Sequence, residues 1–195
     1  MARAAASGSD GEARGTSTRL TADDWLRAAL DTMVDEGIAG VRIQRLCDRL
    51  GVTKGSFYWH FADLDAFLTE LARRWADDAA SRQRPTDVDG DPAASLLGAM
   101  QAFANRRNRN LARAMRDWAL TDDRARAAIR KADIALYERI RTAMLAIGFD
   151  ETDAEVRAKV LYYTGVGFAH VGSLGARASA QDQLAATWDL LTRPH

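Results

Sequence analysis

One short polar and aromatic segment carries the side chains best suited to bind a charged partner. Lys54, Ser56, Tyr58 and His60 alternate along the chain and directly follow a Gly-Val-Thr turn at residues 51–53. Ammonium, hydroxyl and imidazole groups donate hydrogen bonds to phosphate oxygens and to base edges. The spacing predicts a short helix whose outer face contacts DNA. An ordinary helical hairpin with a solvated polar face is the alternative.

Two helical patterns meet at this turn and must position those side chains. Leu46 and Leu50 recur at helical spacing before it, so the first helix buries one side. Gly51 stands where a helix end commonly needs left-handed backbone. Phe57 and Phe61, four residues apart, share the buried side of the second helix. This organisation is typical of a helix-turn-helix whose second helix enters a DNA groove.

Residues 51–61, GVTKGSFYWHF, resemble the signature of the TetR-type transcriptional regulators, and the resemblance extends over about residues 18 to 72. It implies an all-α fold, with an N-terminal three-helix helix-turn-helix head and a helical C-terminal body for ligand binding and dimerisation. The resemblance and the residue pattern together predict these DNA-binding residues: Arg42, Gln44, Thr53, Lys54, Gly55, Ser56, Tyr58, Trp59 and His60.

Two positions depart from the family pattern. Arg42 stands where the family often has Thr, so a capping side chain is lost and a guanidinium that could reach a phosphate is gained. Leu64 stands where the family commonly has Lys, which removes one expected phosphate contact.

The chain divides into a disordered arm (1–18), a DNA-binding head (19–62) and a helical body (63–195). The arm is small, polar and Gly-rich, and lacks the apolar run of a signal peptide. Caps and apolar periodicity predict helices over about 21–36, 63–82, 92–107, 111–120, 123–147, 152–177 and 180–192.

Charge and cysteine content favour a soluble, site-specific DNA-binding protein. The formal net charge is zero, which argues against indiscriminate coating of nucleic acid. Residues 42–60 nevertheless carry three arginines and Lys54 against Asp48, which predicts a local basic face. The single cysteine, Cys47, excludes an internal disulfide, so a cytoplasmic location is expected, with Cys47 a buried small residue. The longest apolar stretch, 160–176, is too short for a membrane helix.

Signals of catalysis or of cofactor binding are missing, so we predict that the chain is not an enzyme and holds no metal or cofactor. Gly165-Val166-Gly167 lies inside a helical pattern without a preceding strand, which argues against a nucleotide fingerprint. His60, His170 and His195 have no metal-ligand spacing with Cys47.

The body supplies candidates for a small-molecule site and for a homodimer interface. An aromatic and sulfur-rich interior suits a hydrophobic or aromatic effector with a few polar handles; the predicted lining is Met100, Phe103, Met115, Trp118, Tyr137, Tyr162 and Tyr163. Small residues on the helix at 152–177 let a second copy approach closely; the predicted interface is Gly165, Ala169, Gly172, Leu184 and Trp188. The Arg-rich run at 106–109, followed by Arg113 and Arg116, is typical of a solvated face, with an acidic ligand as the alternative.

The sequence is best interpreted as a homodimeric, ligand-responsive repressor of a palindromic double-stranded DNA operator. The resemblance implies the mechanism, in which a ligand moves the helix that begins at Asp63 and changes the spacing of the two recognition helices. Two other classes stay open: a ligand-independent architectural DNA-binding protein, and an all-α small-molecule-binding protein or enzyme without DNA binding.

Overall fold

The computed structural model describes residues 20–82, 91–103, 105–171 and 179–193, and within these ranges every regular element is a helix. The all-α fold is therefore confirmed. The helices are α1 Ala22–Glu36, α2 Ile43–Leu50, α3 Lys54–His60, α4 Leu64–Arg82, α5 Pro92–Phe103, α6 Arg106–Ala119, α7 Asp123–Ile147, α8 Glu151–Val171 and α9 Ala180–Thr192, with a 3₁₀ turn, Ile38–Gly40, between α1 and α2.

Local signals set the helix ends in the head. The Thr21 side chain accepts from the backbone N–H of Asp24, and the Asp24 carboxylate accepts from the Thr21 N–H at 2.7 Å. Gly37 ends α1 with a φ of 67°, a conformation that a side chain would strain. The Asp63 carboxylate accepts from the Ala66 N–H at 2.8 Å and so caps α4.

One apolar cluster, called the junction core here, joins the head to helices α4, α6 and α7 of the body. Trp25 and Phe67 contribute fully buried rings from α1 and α4, and α6 adds Met115 and Trp118 from the body side. Leu64, which stands where a phosphate-binding lysine was expected, packs against this core. Because the head and the body share buried side chains in this core, a displacement of α4 or α6 also shifts the head residues that pack against it.

Ion pairs follow the same junction. Asp31 of α1 pairs with Arg107 of α6, and Asp65 of α4 lies 2.6 Å from the Arg124 guanidinium of α7. Such exposed pairs each contribute little to stability. The junction core therefore provides most of the attachment.

A second cluster, the upper core, lies among α5, α7, α8 and α9. Leu96, Met144 and Ala158 are fully buried in it, and Trp188 of α9 is 9% exposed. Alanines at 143, 154 and 158 let α7 and α8 approach closely. Within the described ranges, every helix falls short, in length or in apolar character, of what spanning a bilayer demands.

The boundary between α5 and α6 differs from the prediction. The helix expected to continue to Arg107 ends at Phe103, and the next begins at Arg106 rather than at Leu111. Asn105 is the reason, because its side chain accepts from the Arg107 N–H at 2.8 Å and caps α6. The arginine run therefore occupies the first turn of α6. The predicted arm (1–18) and residues 172–177 of the helix expected to reach Arg177 lie outside the described residues.

Candidate DNA-binding surface

The corner between α2 and α3 is a tight left-handed turn. Gly51 has φ 67° and ψ 33°, the conformation predicted for this position. The next N–H, that of Val52, donates to the Cys47 carbonyl at 3.0 Å, and the Val52 side chain packs against the junction core. Cys47 is buried, and that burial raises the pKa of its thiol, as expected for a packing residue rather than a reactive one.

Phe57 fixes the orientation of α3. It is fully buried, and its ring centre lies 5.3 Å from that of Trp25 and 5.4 Å from those of Phe61 and Phe67. Edge-to-face and tilted aromatic contacts of this kind each contribute about 0.5–1.5 kcal/mol beyond their buried area. With one side of α3 held in this way, its other side must face outward.

The outward side presents the residues predicted to contact DNA. Lys54 is exposed, and Tyr58 and Trp59 are 55% and 63% exposed. Ser56 and His60 are half-buried, with the His60 ring 4.6 Å from the Trp59 ring. Two large aromatic side chains this exposed on one turn, next to a lysine, form a surface suited to a partner.

Two small residues at the start of α3 leave room for that partner. Thr53 occupies the N-cap position of α3, but its side chain makes no capping hydrogen bond. A Cβ built on Gly55 would meet only the Thr53 Oγ1, at 3.7 Å, which is ordinary contact. Packing within the described chain therefore gives no reason for glycine at position 55, whereas the close approach of another backbone would.

The basic face on α2 is smaller than the sequence suggests. Arg45 pairs with Glu36 at 2.6 Å, and Arg49 pairs with Asp35 at 3.2 Å, so both guanidinium groups hold α2 to α1. Arg42 is the N-cap residue of α2, but its side chain does not cap the helix; its Nε instead donates to the Ala39 carbonyl oxygen at 3.0 Å. Of the α2 candidates, Arg42 and Gln44 are exposed, and Gln44 donates to Asp48 at 2.8 Å.

The structure does not gather the predicted effector lining into one site. Met115 and Trp118 belong to the junction core, whereas Met100, Tyr137 and Tyr162 pack on the upper core. Tyr163 is 66% exposed and belongs to neither cluster, although its ring lies 5.4 Å from that of Tyr162. The side chain of Phe103 lies outside the described part of the molecule.

A polar cluster between α6, α7 and α8 was not predicted from the sequence. Arg116 lies 2.5 Å from Asp133, with both side chains less than a quarter exposed, and Tyr162 hydrogen bonds to this pair. Burial and the adjacent Asp133 raise the pKa of Tyr162 to about 12. Arg109, Arg113 and Arg116 recur at helical spacing, and this was the pattern in the sequence that could have indicated the cluster.

The predicted interface residues also lie differently from the expectation. Ala169, Leu184 and Trp188 are buried within their own chain, and Gly172 is outside the described residues. Gly165 lies on the same side of α8 as its buried residues. Among the described residues of α8 and α9, the large apolar side chains that are exposed are instead Val156, Val160, Tyr163, Val171 and Leu190.

Other features of the body are weaker candidates. A shallow groove of about 340 Å³ is lined by Tyr137, Glu138, Arg141, Glu151, Thr152 and Glu155. Among the residues that the structure describes, His, Cys, Asp and Glu side chains do not gather into a group that could hold a metal ion.

Comparison with known proteins links the head to one family. Residues 26–71 match the model of the bacterial regulatory proteins of the tetR family. Over 86 residues the chain is 33% identical to the tetracycline repressor protein class A from transposon 1721 of Escherichia coli, an alignment covering 44% of this chain and 39% of that protein. It is 33% identical over 66 residues to the transcriptional regulator SrpR of Pseudomonas putida, covering 33% of this chain and 27% of that protein. The chain thus spans less than two fifths of the length of these curated relatives.

The whole described fold also has solved counterparts. A transcriptional regulator from Rhodococcus sp. Rha1 superimposes with a TM-score of 0.69 at 23% identity, covering 89% of this chain and 94% of that one. A protein from Saccharomonospora viridis, solved in complex with choline, gives a TM-score of 0.71 at 19% identity and covers 86% and 93% of the two chains. At these identities the likeness establishes the fold.

Proposed function

We propose that this chain, whose head is a TetR-type helix-turn-helix domain on the fold of TetR-family regulators, is a ligand-responsive repressor of a palindromic operator. The observation that carries the proposal is the outer face of α3. Lys54, Tyr58 and Trp59 are exposed there, while Phe57 anchors the opposite side in the junction core. A helix fixed on one side and lined with donors on the other matches the recognition helix of a helix-turn-helix.

The groups on that face divide the recognition between backbone and bases. Lys54 and the Tyr58 hydroxyl are suited to phosphates, which set the register of the head on the duplex. Ser56 and His60, at alternate positions with less exposure, are suited to base edges in the major groove. Gly55 gives the DNA backbone room to approach the first turn of α3.

A seven-residue helix reads too few base pairs for useful specificity, so the proposal requires two copies of the chain. The exposed apolar row on α8, formed by Val156, Val160 and Tyr163, supplies a surface for a second copy. Leu190 of α9, which is 65% exposed, is a further apolar side chain open to a partner. A two-fold axis relating the copies would also relate two half-sites of the operator.

The body is the proposed sensor. It is joined to the head through the junction core, to which α4 and α6 both contribute. A ligand that moves either helix would change the spacing of the two α3 helices and lower operator affinity. The choline complex of the Saccharomonospora viridis protein is a precedent for a small molecule on this fold.

Selection of bound duplexes from a random DNA pool tests the DNA-binding half of the proposal. With the full chain, we expect an inverted repeat to be enriched. Binding without enrichment would favour the architectural alternative. Failure to bind any duplex would favour an all-α small-molecule-binding protein or enzyme.

A screen of hydrophobic and aromatic compounds tests the sensor half. We expect at least one to raise the melting temperature, because it binds the folded chain, and to release the enriched operator, because it binds the DNA-free form more tightly. Trp118, first expected to line that site, is 3% exposed in the junction core, so its replacement by Ala would cost about 3–5 kcal/mol of stability and obscure the result. If no compound shifts melting or DNA release, the sensor half fails.

A further inference from the structure

Gly165 faces open space although it lies in the inward-facing row of α8. Leu161 and Ala169, four residues to either side, are 4% and 9% exposed, and Ala158 is fully buried. Residues at this spacing share one side of a helix. A Cβ built on Gly165 would nevertheless meet no neighbouring atom of the described chain within 4 Å. With respect to the described residues, the inner side of α8 therefore borders open space at the level of Gly165.

A row of arginines on α6 faces this part of α8. Arg109, Arg113 and Arg116 are spaced by four and three residues and so lie on one side of α6. The Arg109 guanidinium lies over the Phe168 ring, 5.2 Å from its centre, and Arg116 hydrogen bonds to Tyr162. Phe168 and Tyr162 stand three residues to either side of Gly165. Helical spacing therefore places Arg113, between the two other arginines, at the level of Gly165.

The charge of this row is only partly balanced. Arg116 pairs with Asp133 of α7 at 2.5 Å. Arg113 is exposed and forms no ion pair within the described part of the chain. A guanidinium can bind a carboxylate through two parallel hydrogen bonds. The rings of Phe168 and Tyr162 on either side can pack against an apolar or aromatic group.

We propose that the cleft between α6 and α8, formed by the arginine row, Tyr162, Phe168 and the space at Gly165, takes an organic carboxylate with an apolar or aromatic body. The carboxylate pairs with Arg113, and the apolar part enters the space at Gly165. The proposal rests on the sensor role given above and names the chemical class of effector.

The position of α6 explains how such a ligand would reach the head. One side of α6 carries the arginine row, and another carries Met115 and Trp118 in the junction core. Arg107, in the first turn of the same helix, pairs with Asp31 of α1. A ligand that draws α6 toward α8 therefore acts on α1 through buried contacts and through an ion pair.

Matched carboxylates and primary amides test the charge requirement in the full chain. The pairs are 3-phenylpropionate with 3-phenylpropionamide, 2-naphthoate with 2-naphthamide, and octanoate with octanamide. By calorimetry and thermal shift we expect at least one carboxylate to bind about tenfold or more tightly than its amide, because only the anion forms an ion pair with the guanidinium and accepts two parallel hydrogen bonds from it. In Arg113→Gln this preference should fall to within about threefold.

Two further variants separate the site from general effects. Arg130→Gln removes an exposed arginine of α7 and should keep the full preference. Gly165→Leu fills the space and should abolish carboxylate binding while the enriched operator is still bound. Retained helical circular dichroism shows that Gly165→Leu is folded.

The proposal is overturned if carboxylates and amides bind alike, or if the preference survives in Arg113→Gln. Inorganic phosphate binding as tightly as the carboxylates also overturns it, because the site would then recognise an anion without an apolar body. Neutral amides that bind and release the operator would leave the sensor role standing and refute only the carboxylate. If no compound of this set or of the hydrophobic screen binds, both proposals fail.

Discussion

Lys54→Gln should change the salt dependence of operator binding without changing stability. Lys54 is the first residue of α3, is exposed, and forms no ion pair within the described chain. Its loss therefore removes no internal contact that holds α3. Each phosphate contact contributes about 0.9 to the slope of log affinity against log salt. Because a homodimer carries two copies, the slope should become less steep by about 1.8.

Tyr58→Phe is the uncharged counterpart on the same face. The Tyr58 ring packs edge-to-face with Phe57 at 5.5 Å, and phenylalanine keeps that contact. Only the hydroxyl is lost, so we expect affinity to fall by about 1 kcal/mol per half-site, or roughly thirtyfold for the dimer. The salt slope should stay that of the parent, because no charge is removed.

Fluorescence anisotropy of the labelled operator over a series of salt concentrations gives affinity and slope together. Arg130→Gln, which removes an exposed positive charge from α7, is the matched control and should leave the slope unchanged. Thermal melting of each variant checks that the fold is intact. An unchanged slope in Lys54→Gln, or full affinity in Tyr58→Phe, would refute the placement of α3 against the DNA backbone.

Three further changes test other parts of the molecule. Gly55→Ala should not lower the melting temperature, because its Cβ meets only Thr53 Oγ1 at 3.7 Å, but it should weaken operator binding; equal affinity in an anisotropy titration would show that no backbone approaches there. Asp122→Asn keeps the Oδ1 acceptor that caps α7 but loses the ion pair and the Oδ2 hydrogen bond with Arg124; the hydrogen bonds and the charge of Arg124 lower the pKa of Asp122 to about 2. Urea unfolding at neutral pH should show a loss of roughly 2 kcal/mol that disappears as pH falls from about 4 toward 2, since the stabilisation exists only while the carboxylate is ionised; a loss independent of pH would contradict this. Val160→Asp places a charge in the exposed apolar row of α8 and should shift the chain from dimer toward monomer in light scattering, whereas an unaltered mass would remove that row from the interface.

The head could be predicted from the sequence because its determinants are local. The cap at Thr21, the left-handed Gly51 and the buried pair Phe57 and Phe61 each depend on neighbours within a few residues. Such signals can be read directly from residue type and spacing. The signal for the start of α6, which was not predicted from the sequence, is local as well, because Asn105 is a recognisable N-cap residue. The arginines and alanines on either side favour helix, so the break between α5 and α6 was not recognised.

The distribution of charge and of buried side chains could not be predicted in the same way. Arg49 pairs with Asp35, which is fourteen residues away in the sequence, and Arg107 pairs with Asp31, which is seventy-six residues away. Helical periodicity identifies the inward side of α6 but not which core it enters. Met115 and Tyr162 were therefore assigned to one interior, although α6 and α8 carry them to different clusters.

Footprinting of the enriched duplex, with the mass of the complex measured in parallel, tests the central claim most directly. We expect two chains on each duplex and two protected half-sites, related by a two-fold axis and centred about 10 base pairs, or a multiple of this distance, apart. One chain protecting a single unrepeated patch, or protection that is the same on every sequence, would contradict operator recognition by paired α3 helices.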